Sequence, residues 1–269
     1  MSSTGPDSKG PGYRQPRFAG FSRGEERVVR VSRCRLDRDV DGTWDFAVAN
    51  ADAIEAHWQE RRIQNPAMFN GTVHVLSKGM LTDDAFEGVL VPVGFKDLLY
   101  WKDHGYRDET AFDVFGSALI RSREGHVLLG RQTAGNLNSG LAYLPGGFID
   151  HRDAGPDGTM DLERSILREV EEETGLRAHE LTRGAGYILT IAGPLISLAA
   201  ELQAALPAAE LRASILAHIA KDTELELDEI FVVRNHADHR DLPMPSYARV
   251  LMEALFPRPG TRPSLAITS

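Results

Sequence analysis

The chain has 269 residues, a formal net charge of −9, 42% hydrophobic and 26% charged residues, and one cysteine, Cys34. That length can bury a real core without covalent staples, and the composition excludes disorder over the whole chain. The acidic balance argues against a nucleic-acid partner held by smeared positive charge, and the lone cysteine excludes a disulfide scaffold or a Cys-based zinc site and points to a cytoplasmic location.

Residues 1–25 hold no apolar run of the kind a secretory signal needs and read as a disordered tail. A strand is expected over 26–36, ERVVRVSRCRL. Asn50 can cap a helix over 51–63, which stops before Asn65-Pro66. Short strands over 72–76 and 88–93 and an amphipathic helix over 95–102 follow. Residues 113–121 and 126–132 form a β-hairpin turning at Gly125, and a glycine- and asparagine-rich stretch containing LPGGF, 144–148, comes next. A helix over 161–174 ends at Gly175. The longest uncharged stretch, 184–200, is shorter than the about 20 residues of a membrane span and is broken by Gly193-Pro194. Two buried strands meeting at a turn are expected there, and no membrane partner. Pro207 opens a helix to about residue 221, 230–233 is a strand, Pro245 opens a last helix to Phe256, and 258–269 is a flexible tail. His236 and His239 read as surface-loop residues. Strands on both sides of helices, in no regular alternation, predict a mixed α/β or α+β sandwich.

The helix over 161–174 breaks rules of local stability. Its end reads REVEEETGL, 168–176. At about 100° per residue, Glu169, Glu172 and Glu173 adjoin or interrupt the apolar stripe of Leu162, Ile166 and Val170. Anions in a last turn oppose the helix dipole at about 0.3–1 kcal/mol each, and Glu169 repels both Glu172 and Glu173 at neighbour spacing. Rules broken together mark a functional site. Oxygen-only ligands with no nearby His or Cys suit Mg²⁺ or Mn²⁺ rather than zinc, and a hard cation facing a glycine-rich loop can neutralise phosphoryl oxygens and activate water.

These residues resemble the signature of the Nudix hydrolases: a glycine, five residues, a glutamate, seven residues, then Arg-Glu-apolar-any-Glu-Glu-any-Gly-apolar. The second half is complete from Arg168 to Leu176, and LPGGF is the usual lead-in. The first half departs from it. Six residues beyond Gly147 stands Asp153, eight before Arg168 stands Met160, and the loop AGPDGTM between them is about seven residues too long. The front carboxylate of the box is either replaced by Asp153 or absent.

The resemblance implies an α/β fold, a Nudix α/β/α sandwich with a mixed sheet over 111–257, preceded by a smaller α+β accessory domain over 26–110. It implies that Glu172 and Glu173 ligate Mg²⁺, with Mn²⁺ as a substitute, and that Glu169 is a third ligand or the base. Arg168 orients the carboxylates, the Gly147 carbonyl faces the metal, and Arg131 holds substrate phosphate or is a surface arginine. A base from a later loop, Glu224 or Glu226, stays open beside Glu169. The implied substrate is a nucleoside diphosphate linked to another moiety. A looser resemblance, to Nudix proteins that split UDP-glucose or UDP-galactose to UMP and sugar 1-phosphate, rests on VVRVSR, Trp58 with Arg61-Arg62, and Asn65-Pro66. It extends to Phe69-Asn70-Gly71, Phe95-Lys96-Asp97, the box insertion and Leu242-Pro243. Trp58 and Phe69 are themselves read as core packing. The alternatives are ADP-ribose or dinucleotide hydrolysis, and a regulatory module that binds nucleotide without turnover.

Overall fold

A computed structural model describes residues 17–135, 137–221 and 226–261. Most of the expected N-terminal and C-terminal tails, and Glu224, lie outside the described residues. The first half contains β1 (Phe18–Ala19), β2 (Glu26–Val31), β3 (Arg33–Arg38), α1 (Asp45–Ala49), α2 (Ala51–Gln64), β4 (Thr72–Leu81), β5 (Ala85–Gly94) and α3 (Phe95–Asp103). The second contains β6 (Asp113–Arg121), β7 (Val127–Gln132), β8 (Ala142–Tyr143), α4 (Leu162–Thr174), β9 (Leu181–Arg183), β10 (Tyr187–Ala192) and β11 (Leu195–Ala204). It closes with α5 (Ala208–Ile219), β12 (Leu227–Val233), α6 (His236–His239) and α7 (Ser246–Leu255).

Among the described residues these strands form a four-stranded sheet, β1-β4-β5-β3, and an eight-stranded one built on the path β12-β7-β6-β11-β10-β2. The larger sheet is mixed: β6 and β11 are parallel, whereas β10 runs antiparallel to both β11 and β2. Side-chain alternation along β6 shows how it is covered. Gly116 faces α4 so closely that a Cβ there would lie 2.8 Å from Ile166, while its neighbour Phe115 packs edge-on against Tyr247 of α7 at 4.7 Å. Helices therefore cover both faces, giving the expected α/β/α sandwich.

The run 26–36, expected as one strand, is two. The chain bends at Ser32, where the N–H groups of Ser32 and Arg33 both donate to the Asp84 carbonyl. β2 joins β10 of the large sheet and β3 joins β5 of the small one. The expected boundary between 26–110 and 111–257 thus leaves β2 on the far side from the sheet it completes. One apolar core also spans both sheets, with Leu36, Leu76 and Phe86 in the same cluster as Phe112, Ile166 and Leu251. The insertion in the box is docked on this junction. Thr159 bridges Asp37, and Met160, 4% exposed, donates its N–H to the Leu36 carbonyl, so the free edge of β3 is covered.

The hairpin β6–β7 pairs at Arg121 and Val127 and then opens. Ala118 and Gly116 of β6 donate instead to the carbonyls of Pro145 and Gly147, while Gly130 and Arg131 of β7 face β8. The LPGGF segment is wedged into this opening, and glycine is required there. Gly146 has φ +155°, and a Cβ on it would lie 2.3 Å from the Gly116 carbonyl oxygen. Gly146→Ala must push two backbones apart and is expected to destabilise the chain by about 1–3 kcal/mol. Equilibrium urea unfolding checks this, and an unchanged midpoint contradicts it.

The polar stretch 235–243, expected as a loop with surface histidines, contains α6, capped by the Asn235 side chain on Ala237 N–H. His239 is 1% exposed and its Nε2 lies 3.1 Å from the Phe256 carbonyl. Burial lowers its pKa. Among the described residues no helix is long and apolar enough to cross a membrane.

Candidate active site

The Asp161 carboxylate caps α4 by accepting from Arg164 N–H, and Gly175 ends the helix in the left-handed conformation, φ +72°. Leu162, Ile166 and Val170 are buried, and this stripe carries two of the glutamates inward. Glu173 is 4% exposed and held at both oxygens: the Tyr143 hydroxyl donates to Oε1 at 2.8 Å and Gly146 N–H to Oε2 at 3.0 Å. Glu169 lies one turn back, and a Cβ on Gly147 would sit 2.4 Å from its Oε2. The absence of a side chain at Gly147 is what admits this carboxylate.

Glu169, Glu173 and Glu226 line one end of a cavity of about 1040 Å³ that opens between the two sheets. Burial, reinforced by Glu172 and Glu226 and opposed by Arg168, pushes the Glu169 carboxyl up to about 7. Burial, with Glu226 and Glu169 adding to it, holds Glu173 well above the usual carboxylate range. Glu172 is placed differently: its side chain is 55% exposed and does not line the cavity.

Arg168 sits behind the carboxylates. Its Nη1 donates to Glu169 at 2.6 Å and its Nη2 reaches both oxygens of Asp153 at 3.1 and 3.2 Å. Asp153 is fully buried and also accepts from Asp150 N–H. Asp153 is therefore the carboxylate that faces the box arginine, brought there by a short turn over His151–Asp153. The opposed charges on α4 are partly compensated from within: Arg168 serves Glu169, Tyr143 and Gly146 serve Glu173, and the His218 ring lies 3.1 Å from the Glu172 carbonyl at the helix end.

Arg131 is not brought to the cavity. Its Nε donates to Asp228 at 2.6 Å, while its strand neighbour Gln132 lines the cavity wall. The cations that do line it are Lys102 of α3 and Arg152, neither of which the sequence reading singled out. Phe69, expected in the core, is 81% exposed at the cavity rim, whereas Trp58 is buried as expected. Among the described residues no group of three or more His, Cys, Asp or Glu side chains is gathered tightly enough to hold a metal ion as it stands.

The site thus combines a mixed-sheet sandwich with a glycine turn that faces carboxylates on a helix end. Residues 113–193 match the family model of the NUDIX domain. That segment of the chain, from β6 to the end of β10, is a NUDIX domain. No curated protein matches it. Solved structures similar to it include a Nudix hydrolase from M. smegmatis, RenU, at 20% identity over 55% of this chain and 88% of that one, TM-score 0.38. The MutT protein from Methanosarcina mazei Go1 is 24% identical over 53% and 91%, TM-score 0.35. The NUDIX domain of Shewanella oneidensis NrtR, complexed with ADP ribose, is 17% identical over 58% and 94%, TM-score 0.37.

Proposed function

We propose that the chain is a Mg²⁺-dependent hydrolase of a nucleoside diphosphate linked to a second moiety, with a UDP-sugar giving UMP and sugar 1-phosphate as the first substrate to test. The observation that carries this reading is the pair Glu169 and Glu173, buried side by side under the Gly146–Gly147 turn at one end of the cavity.

The donor set fits a hard divalent cation. It is oxygen only, and Glu169 and Glu173 both line the cavity from one helix end, opposite a glycine turn that leaves them room. Glu169 and Glu173 would hold the ion once side-chain rotation draws them together with the exposed Glu226 or Glu172. The Gly147 carbonyl accepts from Gly116 N–H and keeps one lone pair for it. A bound ion supplies charge neutralisation of the phosphoryl oxygens and a lowered pKa for an attacking water.

The residues of the chain do the rest. Tyr143 and Gly146 fix the orientation of Glu173, and Arg168 fixes Glu169. Phe115, Phe148 and Tyr247 give the cavity an aromatic wall, and Arg152 offers positive charge to an anionic substrate. Glu169 and Glu226 both line the cavity, and either would serve as the base that takes a proton from water.

The test is a panel of UDP-, ADP- and GDP-linked substrates, ADP-ribose and dinucleoside polyphosphates included, with and without Mg²⁺ or Mn²⁺, scored for the position of the product phosphate. Turnover of a UDP-sugar to UMP and sugar 1-phosphate, abolished by EDTA and restored by Mg²⁺, is expected. Tight nucleotide binding with no turnover on any substrate would establish the regulatory alternative instead.

A further inference from the structure

The far end of the cavity, away from the carboxylate helix, is also built. Asp113 opens β6, is 4% exposed and lines the cavity. Tyr106 lines the cavity beside Asp113, whose Oδ1 accepts no hydrogen bond from the described residues. A buried carboxylate oxygen without a donor is costly, and here it sits in the wall of a cavity large enough for a ligand. Burial pushes the Asp113 carboxyl up to about 6, against the opposing effects of Lys102 and Tyr106.

Two neighbours come from the other side of the cleft. Lys102 of α3 reaches over to the large domain, where its Nζ donates to the Leu137 carbonyl at 3.1 Å and to Asn138 Oδ1 at 3.5 Å. An ammonium has three N–H donors, and one remains. Tyr106 is the non-glycine residue with positive φ, +55°, among the described residues. That strained turn is held from several directions. Arg23 donates to the carbonyls of Tyr106 and Ala111, Trp101 Nε1 donates to the Asp108 carbonyl, and Trp44 Nε1 donates to its carboxylate. Strain maintained at this expense is characteristic of a residue presented for a purpose. Between this end and the glutamates stand Phe115 and Tyr247, and Tyr247 feels the charge of both Glu173 and Asp113.

We infer that Asp113, Lys102 and Tyr106 form a subsite for a vicinal diol on a sugar ring of the substrate, and that this subsite sets which nucleoside diphosphate derivative is accepted. The inference rests on the proposed reading of the cavity as a nucleoside diphosphate site. A sugar hydroxyl both donates and accepts: with a small side-chain rotation of Asp113 it would meet the unpartnered carboxylate oxygen and the remaining Lys102 proton at once, while its ring packs on aromatic carbon. A phosphate is repelled by Asp113, which leaves the phosphates to the glutamate end. The diol belongs either to a hexose or to the ribose of the nucleoside, and both sources present the same chemistry.

Calorimetric binding separates them, using UDP-glucose, UDP propyl ester, which lacks the hexose, and the 2′,3′-dideoxyuridine form of UDP-glucose, which lacks the ribose diol. Asp113→Asn is expected to weaken UDP-glucose binding roughly 10- to 100-fold and to leave unchanged the one analogue that lacks the recognised diol. Insensitivity of the propyl ester identifies the hexose, and insensitivity of the dideoxy analogue identifies the ribose. Lys102→Met, a partly buried side chain outside the sheets, provides the same pattern should Asp113→Asn unfold. Equal weakening of all three ligands by both variants, or of none, overturns the subsite. Hydrolysis is followed in parallel. Wild-type chain that binds UDP-glucose but hydrolyses nothing fails the hydrolase reading and leaves the subsite standing, whereas hydrolysis with both variants unchanged in affinity fails the subsite alone.

Discussion

Glu173→Gln is expected to lower kcat on the order of 10²–10³-fold, and Glu172→Gln to lower it far less. From the sequence the two are equal partners, adjacent carboxylates of one motif, and either substitution is expected to reduce turnover by orders of magnitude. Their surroundings separate them. Glu173 is 4% exposed, held by Tyr143 and Gly146, and faces the cavity beside Glu169. Glu172 has a side chain 55% exposed, 3.7 Å from Arg168 and outside the cavity lining. A carboxylate that water already solvates has less to give a bound cation than one whose charge is left undersatisfied by burial. Initial rates at saturating Mg²⁺ check the difference, and equal losses in the two variants would sink it. Glu173→Gln also has a structural cost. The Gln carboxamide offers one acceptor and one donor where Tyr143 and Gly146 present two donors, so one of them is left unpaired at about 1–3 kcal/mol. A Tm measurement in the absence of metal reads that cost separately from the loss of turnover.

Much of the large domain was legible because local signals and tertiary structure agree. α4 runs from the capping Asp161 to the left-handed Gly175, both visible as residue types at their positions. Pro207 and Pro245 open helices as expected. What escaped the sequence depends on which surface each strand meets. The run 26–36 has no break in its β pattern at Ser32, and the bend there is imposed by Asp84, some fifty positions away. For Arg131 the resemblance left two readings, a phosphate holder or a surface arginine; side-chain direction alternates along that strand, so Arg131 pairs with Asp228 at the surface and it is Gln132 that lines the cavity. Asp153 could be counted to but not assigned, since only the folded turn shows it against Arg168. One available signal was passed over. Asp113 opens a strand of buried apolar residues, and a carboxylate in that position needs a partner or a use. Lys102 and Tyr106 had no such signal, because only the packing of α3 and the turn after it brings them to the cavity.

Removing Arg168 is expected to be the most destabilising single substitution in the box. Arg168→Met deletes the guanidinium that meets Asp153 at 3.1 Å and Glu169 at 2.6 Å and stands 3.8 Å from Asp150. Asp153 has no exposure to water and would be left as a buried charge with only the Asp150 N–H beside it. Breaking a buried pair from one side costs about 3–5 kcal/mol, because the remaining charge loses its partner and cannot be hydrated. For a chain of this size that lowers Tm by roughly 10 °C. Asp153→Asn removes the same attraction but leaves no buried anion, and is expected to cost less. In the double variant the loss should therefore be smaller than the sum, a positive coupling that a double-mutant cycle measures in urea. Additive losses would mean that Arg168 acts through Glu169 alone and that Asp153 is not the front carboxylate of the box. The cycle bears on the long insertion as well. Asp153 is held in place by a turn whose continuation, through Met160, is hydrogen-bonded to Leu36 of β3. A strong coupling between Arg168 and Asp153 shows that this turn, anchored on the small sheet, carries the partner of the box arginine.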